Sequence, residues 1–215
     1  GEYCFSQALS FPKVRPWDYG TPELYHTELC VVGDNITEYI PYDFGFRRFV
    51  MGEDRIMYLN GKRLLINGVN RHEWHCRKGR AIDVADMEAA MDTILSNNIN
   101  AVRTCHYPNR TEWYHLCDQK GIYLMDETNL ETHGSWQKDA LENSIEPSWN
   151  VPGSLPQWRE NVLDRAKSMF ERDKNHVSIL FWSCGNEAFC GENVVAMAEY
   201  FRSVDPSRLV HYESV

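Results

Sequence analysis

Residues 177–189 read VSILFWSCGNEAF, a run in which Val177, Ile179, Leu180, Phe181 and Trp182 make a strand apolar on both faces before it stops at Gly185, Asn186 and Glu187. A strand of this kind has to be covered on both sides, as a parallel strand beneath helices is, because each side chain must meet protein rather than water. In a barrel of parallel strands the residues just past the carboxyl ends line the site. Glu187 is therefore a candidate acid. An isolated Asn-Glu would more simply cap the following helix, so the other strand exits decide between the two readings.

From about residue 56 onward, strand and helix alternate. Ile56–Leu59 and Leu64–Ile66 flank the hairpin turn Asn60-Gly61, and the second arm is expected to run on through Gly68-Val69-Asn70 to Arg71-His72-Glu73. A helix capped by Asp83 or Asp86 carries Met87, Met91, Ile94 and Leu95 on one face. Ala101–Cys105 is a short strand, Trp113, Leu116 and Cys117 lie on a helix stopped by Gly121, and Ile122–Met125 is the next strand. A helix from Trp158 to about Lys174, the strand at 177, a helix bearing Val194, Val195, Ala198, Phe201 and Val204, and a strand at Leu209–Tyr212 complete the series. Four βα units and a fifth strand imply a parallel sheet with right-handed crossovers, either open and doubly wound or the opening part of an eight-stranded barrel. No Gly-x-Gly-x-x-Gly follows the first strand, which favours the (β/α)8 TIM barrel.

The segment before it differs. Residues 1–50 hold Pro12, Pro16, Pro22 and Pro41 and two apolar runs, Leu24–Val32 and Ile36–Tyr42, joined by the turn signal Gly33-Asp34-Asn35. They read as the last strands of an all-β sandwich of immunoglobulin-like type, too few to close one. The expected division is 1–50 for that unit and 51–215 for the barrel portion. Residues 134–157 form a long aperiodic stretch leaving a strand end, where a substrate loop belongs.

Composition removes several functional classes. The 215 residues are 43% hydrophobic and 13% aromatic, enough for a sizeable core, and the net charge of -9 with scattered basic residues argues against nucleic acid or an anionic membrane as partner. No apolar run approaches the roughly 20 residues of a membrane span, and no secretory signal pattern opens the chain. Seven cysteines (Cys4, Cys30, Cys76, Cys105, Cys117, Cys184 and Cys190) without a Cys-x-x-Cys pair point to reduced thiols and a cytoplasmic location.

Successive strand exits supply His72, then His106, then Glu131 and His133, then Asn186 with Glu187. Titratable side chains at four successive exits converge on one pocket if the barrel closes. A single His at a strand end is more often a hydrogen-bonded structural residue, and the plain reading of Asp126 and Glu127 is that they merely solvate a loop. Glu131 and His133, two apart in extended chain, share a side and suit either a cation or a salt bridge.

The segments GVNRHEW (68–74), VRTCHYPN (102–109), DETNLETHG (126–134), RDKNH (172–176), FWSCGNEA (181–188) and VDPSRLVHYE (204–213) resemble glycoside hydrolase family 2, and within it the bacterial β-galactosidases. The resemblance runs from about Trp17 to Val215, and the Glu-Thr-His-Gly of residues 131–134 separates galactosidases from the similar β-glucuronidases and β-mannosidases. It implies a retaining hydrolase of terminal β-D-galactosides such as lactose, with Glu187 as general acid/base and Asn186 on the sugar 2-hydroxyl. It also implies that His72 and His106 hydrogen-bond the sugar and stabilise the transition state. Glu131, His133 and Glu187 match magnesium ligands, although the histidine leaves room for manganese.

The family's nucleophile, a glutamate on the seventh barrel strand, has no counterpart here, and Glu213 does not match its motif. The family's N-terminal sugar-binding domain, with its sodium site, is likewise not represented, so the expected partners are that domain, the rest of the barrel and further subunits. The competing readings are a fragment that binds sugar or completes an assembly without cleaving, and a family 2 hydrolase of glucuronides or mannosides.

Overall fold

The computed structural model describes residues 6–135 and 150–212. Its centre is a five-stranded parallel sheet made of β6 (Gly68–Asn70), β7 (Ala101–Arg103), β8 (Tyr123–Glu127), β9 (Ile179–Ser183) and β10 (Leu209–His211). Spatial order follows chain order, so each strand pairs with its predecessor. The crossovers carry α1 (Val84–Ser96), α2 (Thr111–Lys120), α3 (Arg159–Asp173) and α4 (Glu192–Val204). A register shift between β8 and β9 at Leu124/Met125 re-phases β9, after which Glu127 stands opposite Ser183.

The helices form where local chemistry starts and stops them. Asp83 accepts from the Asp86 backbone N–H while the Asp86 side chain accepts from that of Asp83, a reciprocal capping box that resolves the choice between the two aspartates. Gly121 closes α2 in the left-handed conformation at φ 79°. A Cβ at this position would also lie 3.0 Å from the Asp18 carbonyl oxygen, because the N-terminal strap runs beneath the sheet there. Trp17 anchors that strap: it is fully buried, and its indole N–H donates to the Asp118 carbonyl at 2.7 Å.

Two apolar clusters sandwich the sheet. The larger lies between strands and helices and includes Met87, Trp113, Leu124, Ile179, Trp182 and Phe201, with the Trp182 and Phe201 rings stacked at 5.7 Å. In α4 the stripe that packs is Val194, Met197 and Phe201, whereas Val195 and Val204 face outward. The smaller cluster, with Trp17, Phe49, Leu59, Tyr123, Val177 and Leu180, lies on the inner side of the sheet.

The hairpin at Asn60-Gly61 is present, both residues having positive φ, but its second arm is only Lys62–Arg63. These strands, β4 (Met57–Leu59) and β5, join β3 (Phe49–Met51) in a separate antiparallel sheet, and β6 belongs to the parallel one instead. The expected continuous arm thus breaks at residues 64–67, where Asn100 captures the chain by accepting from Asn67 N–H and donating to the Leu65 carbonyl, both at 2.8 Å. β3 crosses the expected boundary at residue 50. Upstream, β1 (Tyr25–Val32) and β2 (Thr37–Phe44) pair antiparallel from Tyr25↔Phe44 to Val32↔Thr37, as the Gly33-Asp34-Asn35 turn implied. Most of the expected substrate loop, residues 136–149, lies outside the described residues, as does Glu213.

Candidate active site

β8 ends in Asp126 and Glu127, and both are fully buried. The loop-solvating reading of these two is therefore corrected. A buried carboxylate needs polar partners, and Glu127 finds them on the neighbouring strands.

Glu127 is the hub. Register places it opposite Ser183, and Ser183 opposite His211. Ser183 donates its hydroxyl to Glu127 Oε2 at 2.6 Å, and its oxygen lies 3.3 Å from His211 Nδ1. Arg103, at the end of β7, pairs with the same carboxylate through Nε. His106 Nδ1 donates to Glu127 Oε1 at 2.7 Å, so this contact does not occupy Nε2. Arg103 extends the network by donating from Nη2 to Asn186 Oδ1 at 3.1 Å. That bond fixes the amide orientation, and Asn186 Nδ2 then donates to Glu131 Oε1 at 3.1 Å. The Asn186 backbone N–H donates to the Leu130 carbonyl at 2.8 Å, so Asn186 is held from both ends.

Glu187 follows with its side chain 43% exposed and hydrogen-bonded through Oε2 to His133 Nδ1. Its φ is 35°, a left-handed conformation that a non-glycine residue adopts only where its surroundings impose it. The residue is thus turned out of the strand direction. Gly185, two positions earlier, has φ 133°, and a Cβ there would sit 2.5 Å from the Leu130 carbonyl oxygen. His72, exposed after β6, meets His106 edge to face with ring centroids 5.3 Å apart.

The expected residues thus form two linked groups. His106, Asn186 and Glu131 are joined through Arg103 and Glu127, while His133 and Glu187 form an adjoining pair. His72 touches the first group through His106. Glu131 is turned toward Asn186, and the trio Glu131, His133 and Glu187 is not drawn into a closed donor set. Among the described residues such sets are His72, Cys105 and His106, and His115, Asp118 and His176, each with donor atoms within 4.8 Å of one another. Two carboxylates and an imidazole at adjoining strand ends fit a small divalent cation once Glu131 swings from its amide partner. Arg103, Glu127, Ser183 and His211 were not singled out from sequence. The signal available was the charged pair closing an apolar strand, matched by an Arg closing the strand before it.

Below this hub sits a second buried acid. Asp126 accepts from Tyr114 Oη at 2.6 Å and faces Asp173, which Arg172 grips through two bonds of 2.7 Å. Burial pushes the Asp126 carboxyl well above the usual carboxylate range, and the Asp173 charge adds to the effect. Both effects favour the neutral carboxyl of Asp126.

Residues 50–215 match the family described as "Glycosyl hydrolases family 2, TIM barrel domain". The chain is 57% identical over 94% of its length to the β-galactosidase large subunit of Lactobacillus acidophilus, covering 32% of that protein. It is 51% identical over its full length to a β-galactosidase of Streptococcus thermophilus, covering 21% of it. The chain spans a third or less of the length of these curated relatives. Among solved structures it is similar to a β-D-glucuronidase of Dictyoglomus thermophilum (TM-score 0.80, 25% identity, covering 91% of this chain and 34% of that one). It is also similar to a family 2 β-galacturonidase of Eisenbergiella tayi (TM-score 0.77, 26% identity, 94% and 34% covered). The parallel βα architecture, the ordered strand-end residues and the match over residues 50–215 lead to one conclusion: the chain belongs to glycosyl hydrolase family 2 and carries part of its TIM-barrel domain.

Proposed function

We propose that the chain is the acid/base portion of a retaining β-galactosidase that hydrolyses terminal β-D-galactosides such as lactose. The observation that carries the substrate choice is identity: 51–57% to proteins named β-galactosidase, against 25% to a β-glucuronidase of similar fold. Glu187 protonates the departing glycosidic oxygen and then, as carboxylate, takes a proton from the attacking water. Its half-exposed side chain suits a group that must meet substrate. Asn186, with its amide oriented by Arg103, presents a fixed hydrogen-bonding edge to the sugar 2-hydroxyl. His106 accepts from a sugar hydroxyl at Nε2, and His72 supports it from the adjoining strand.

A retaining mechanism needs a second carboxylate about 5 to 5.5 Å from the first. Glu127 does not qualify, being fully buried and bound to Arg103, His106 and Ser183. Asp126 is fully buried and bound by Tyr114, and burial beside Asp173 pushes its carboxyl toward the neutral form. The resemblance to family 2 implies that the nucleophile is a glutamate on the seventh strand of the barrel. Magnesium, held by Glu131, His133 and Glu187, would tune the ionisation of the acid; manganese suits the same donors. Four of the relatives are named large subunits, which favours work within a larger assembly. Reduced thiols support a cytoplasmic location, since none of the six described cysteines is paired. The β1–β2 hairpin is assigned to an immunoglobulin-like sandwich on the strength of its exposed apolar residues, Leu29, Val31 and Ile40, which call for a covering sheet.

The test is a panel of nitrophenyl β-glycosides offered to the complete protein. Galactoside turnover at least 100-fold above glucuronide and mannoside is expected, that ratio being roughly what a specific set of sugar hydroxyl contacts provides. Preference for the glucuronide would reverse the substrate assignment while leaving the family standing.

A further inference from the structure

At the opposite end of the strands, α2 and the turn leading into β9 bring together three groups that the hydrolytic chemistry does not use. His115 and Asp118 are three apart on α2 and share a face, and His176 reaches them from the turn after α3. One donor atom of each lies within 4.8 Å of the other two. We propose that His115, Asp118 and His176 form a binding site for a transition-metal dication such as zinc, distinct from the magnesium site of the active centre.

Two of the three groups are pre-positioned. Asp118 is buried, its Oδ1 accepts from the Ser178 backbone N–H at 2.9 Å, and its Oδ2 lies 2.6 Å from His176 Nδ1. The His176 ring lies against Tyr114 with centroids 5.3 Å apart, and its carbonyl accepts from Arg208 at 3.0 Å. A structural ion pair would account for Asp118 and His176 but not for the third group. His115 is exposed, stands edge to face with His176 at 5.0 Å, and gives an ion a route in from solvent.

The donor chemistry selects the ion. Two imidazole nitrogens with one carboxylate oxygen suit zinc, cobalt or nickel, whereas magnesium prefers oxygen throughout. Tetrahedral zinc with bonds near 2.0 to 2.2 Å places its ligands about 3.4 Å apart, so side-chain rotation within the present 4.8 Å envelope closes the site. Three protein ligands leave the fourth position to water. A metal there would tie α2 to the entry of β9.

The experiment is zinc titration of the complete, chelator-stripped protein in excess magnesium, by competition with a chromophoric chelator, with the melting temperature followed in parallel. The His72, Cys105 and His106 donors are an independent zinc trap, so His115→Ala and Cys105→Ala are compared with the parent. The expected result is that His115→Ala weakens one zinc equivalent by at least about 10-fold and removes its share of the zinc-dependent rise in melting temperature. Cys105→Ala should leave that equivalent in place, and cobalt should give tetrahedral visible bands that His115→Ala abolishes. Zinc binding unchanged in His115→Ala, lost only in Cys105→Ala, or absent from the parent would overturn the proposal.

Discussion

Glu187 is held at a positive φ and hydrogen-bonded to His133, so its conformation is set before any substrate arrives. In the complete enzyme Glu187→Gln should cut kcat by about 10² to 10⁴ on substrates with poor leaving groups. Activated aryl galactosides should lose least, and azide should restore part of the rate. Equal losses across the leaving-group series would remove Glu187 from the acid/base role. Chelation should lower activity, magnesium or manganese should restore it, and His133→Ala should blunt that dependence; a chelated enzyme with unaltered rate and pH profile would take the cation out of the mechanism. At this scale position was readable from sequence: His106 follows β7, and Asn186 and Glu187 follow β9, as the alternating pattern implied. Glu127 was obscured because a charged pair after an apolar run looks like a surface turn. Only the pairing of β8 with β7 and β9, set by chain up to 56 residues away, shows that Arg103 and Ser183 await it.

The strands and helices carry two predictions of their own. The exit of β9 depends on Gly185, where a side chain would collide with the Leu130 backbone. Gly185→Ala should cost at least about 2 kcal/mol of stability, measured by denaturant unfolding, and should lower kcat by shifting Asn186 and Glu187. The end of β8 depends on a proton. An unfolded aspartate titrates near 3.9, and Asp126 in the fold keeps its proton well above that value. Between those limits folding takes up a proton, so stability falls as pH rises through the window. Asp126→Asn retains both the donor to Asp173 and the acceptor for Tyr114. It should flatten this slope and match or exceed the parent at pH 8 in thermal melts; a strong loss at pH 8 would mean that Asp126 is needed ionised. Element type and order were legible from periodicity, turn glycines and caps. The register shift in β9 and the early end of β5 were not, because each is decided by a distant partner, Met125 in one case and Asn100 in the other.

At the scale of the whole molecule, the inner face of the sheet remains a groove of about 460 Å³ lined by Met57, Ile66, Val69, Tyr123 and Phe181. β6 and β10 are the two edges of the parallel sheet among the described residues. Open edges beside an apolar concavity favour association. Residues 1–215 expressed alone should therefore elute as oligomers or aggregates and show no galactoside hydrolysis even with magnesium. A monomer that turns over lactose would mean the second carboxylate is within this chain, and Glu213 would be the residue to replace. The spatial order of the strands has a further consequence for biogenesis. Because each barrel strand docks on the one made just before it, the pairing can keep pace with a ribosome adding about 5 to 20 residues per second. On the proposed roles, Glu187 and the network of Arg103, Glu127 and Asn186 behind it would be in place once β9 has docked, ahead of any carboxylate carried by a later barrel strand, so that the acid side of the site would form first.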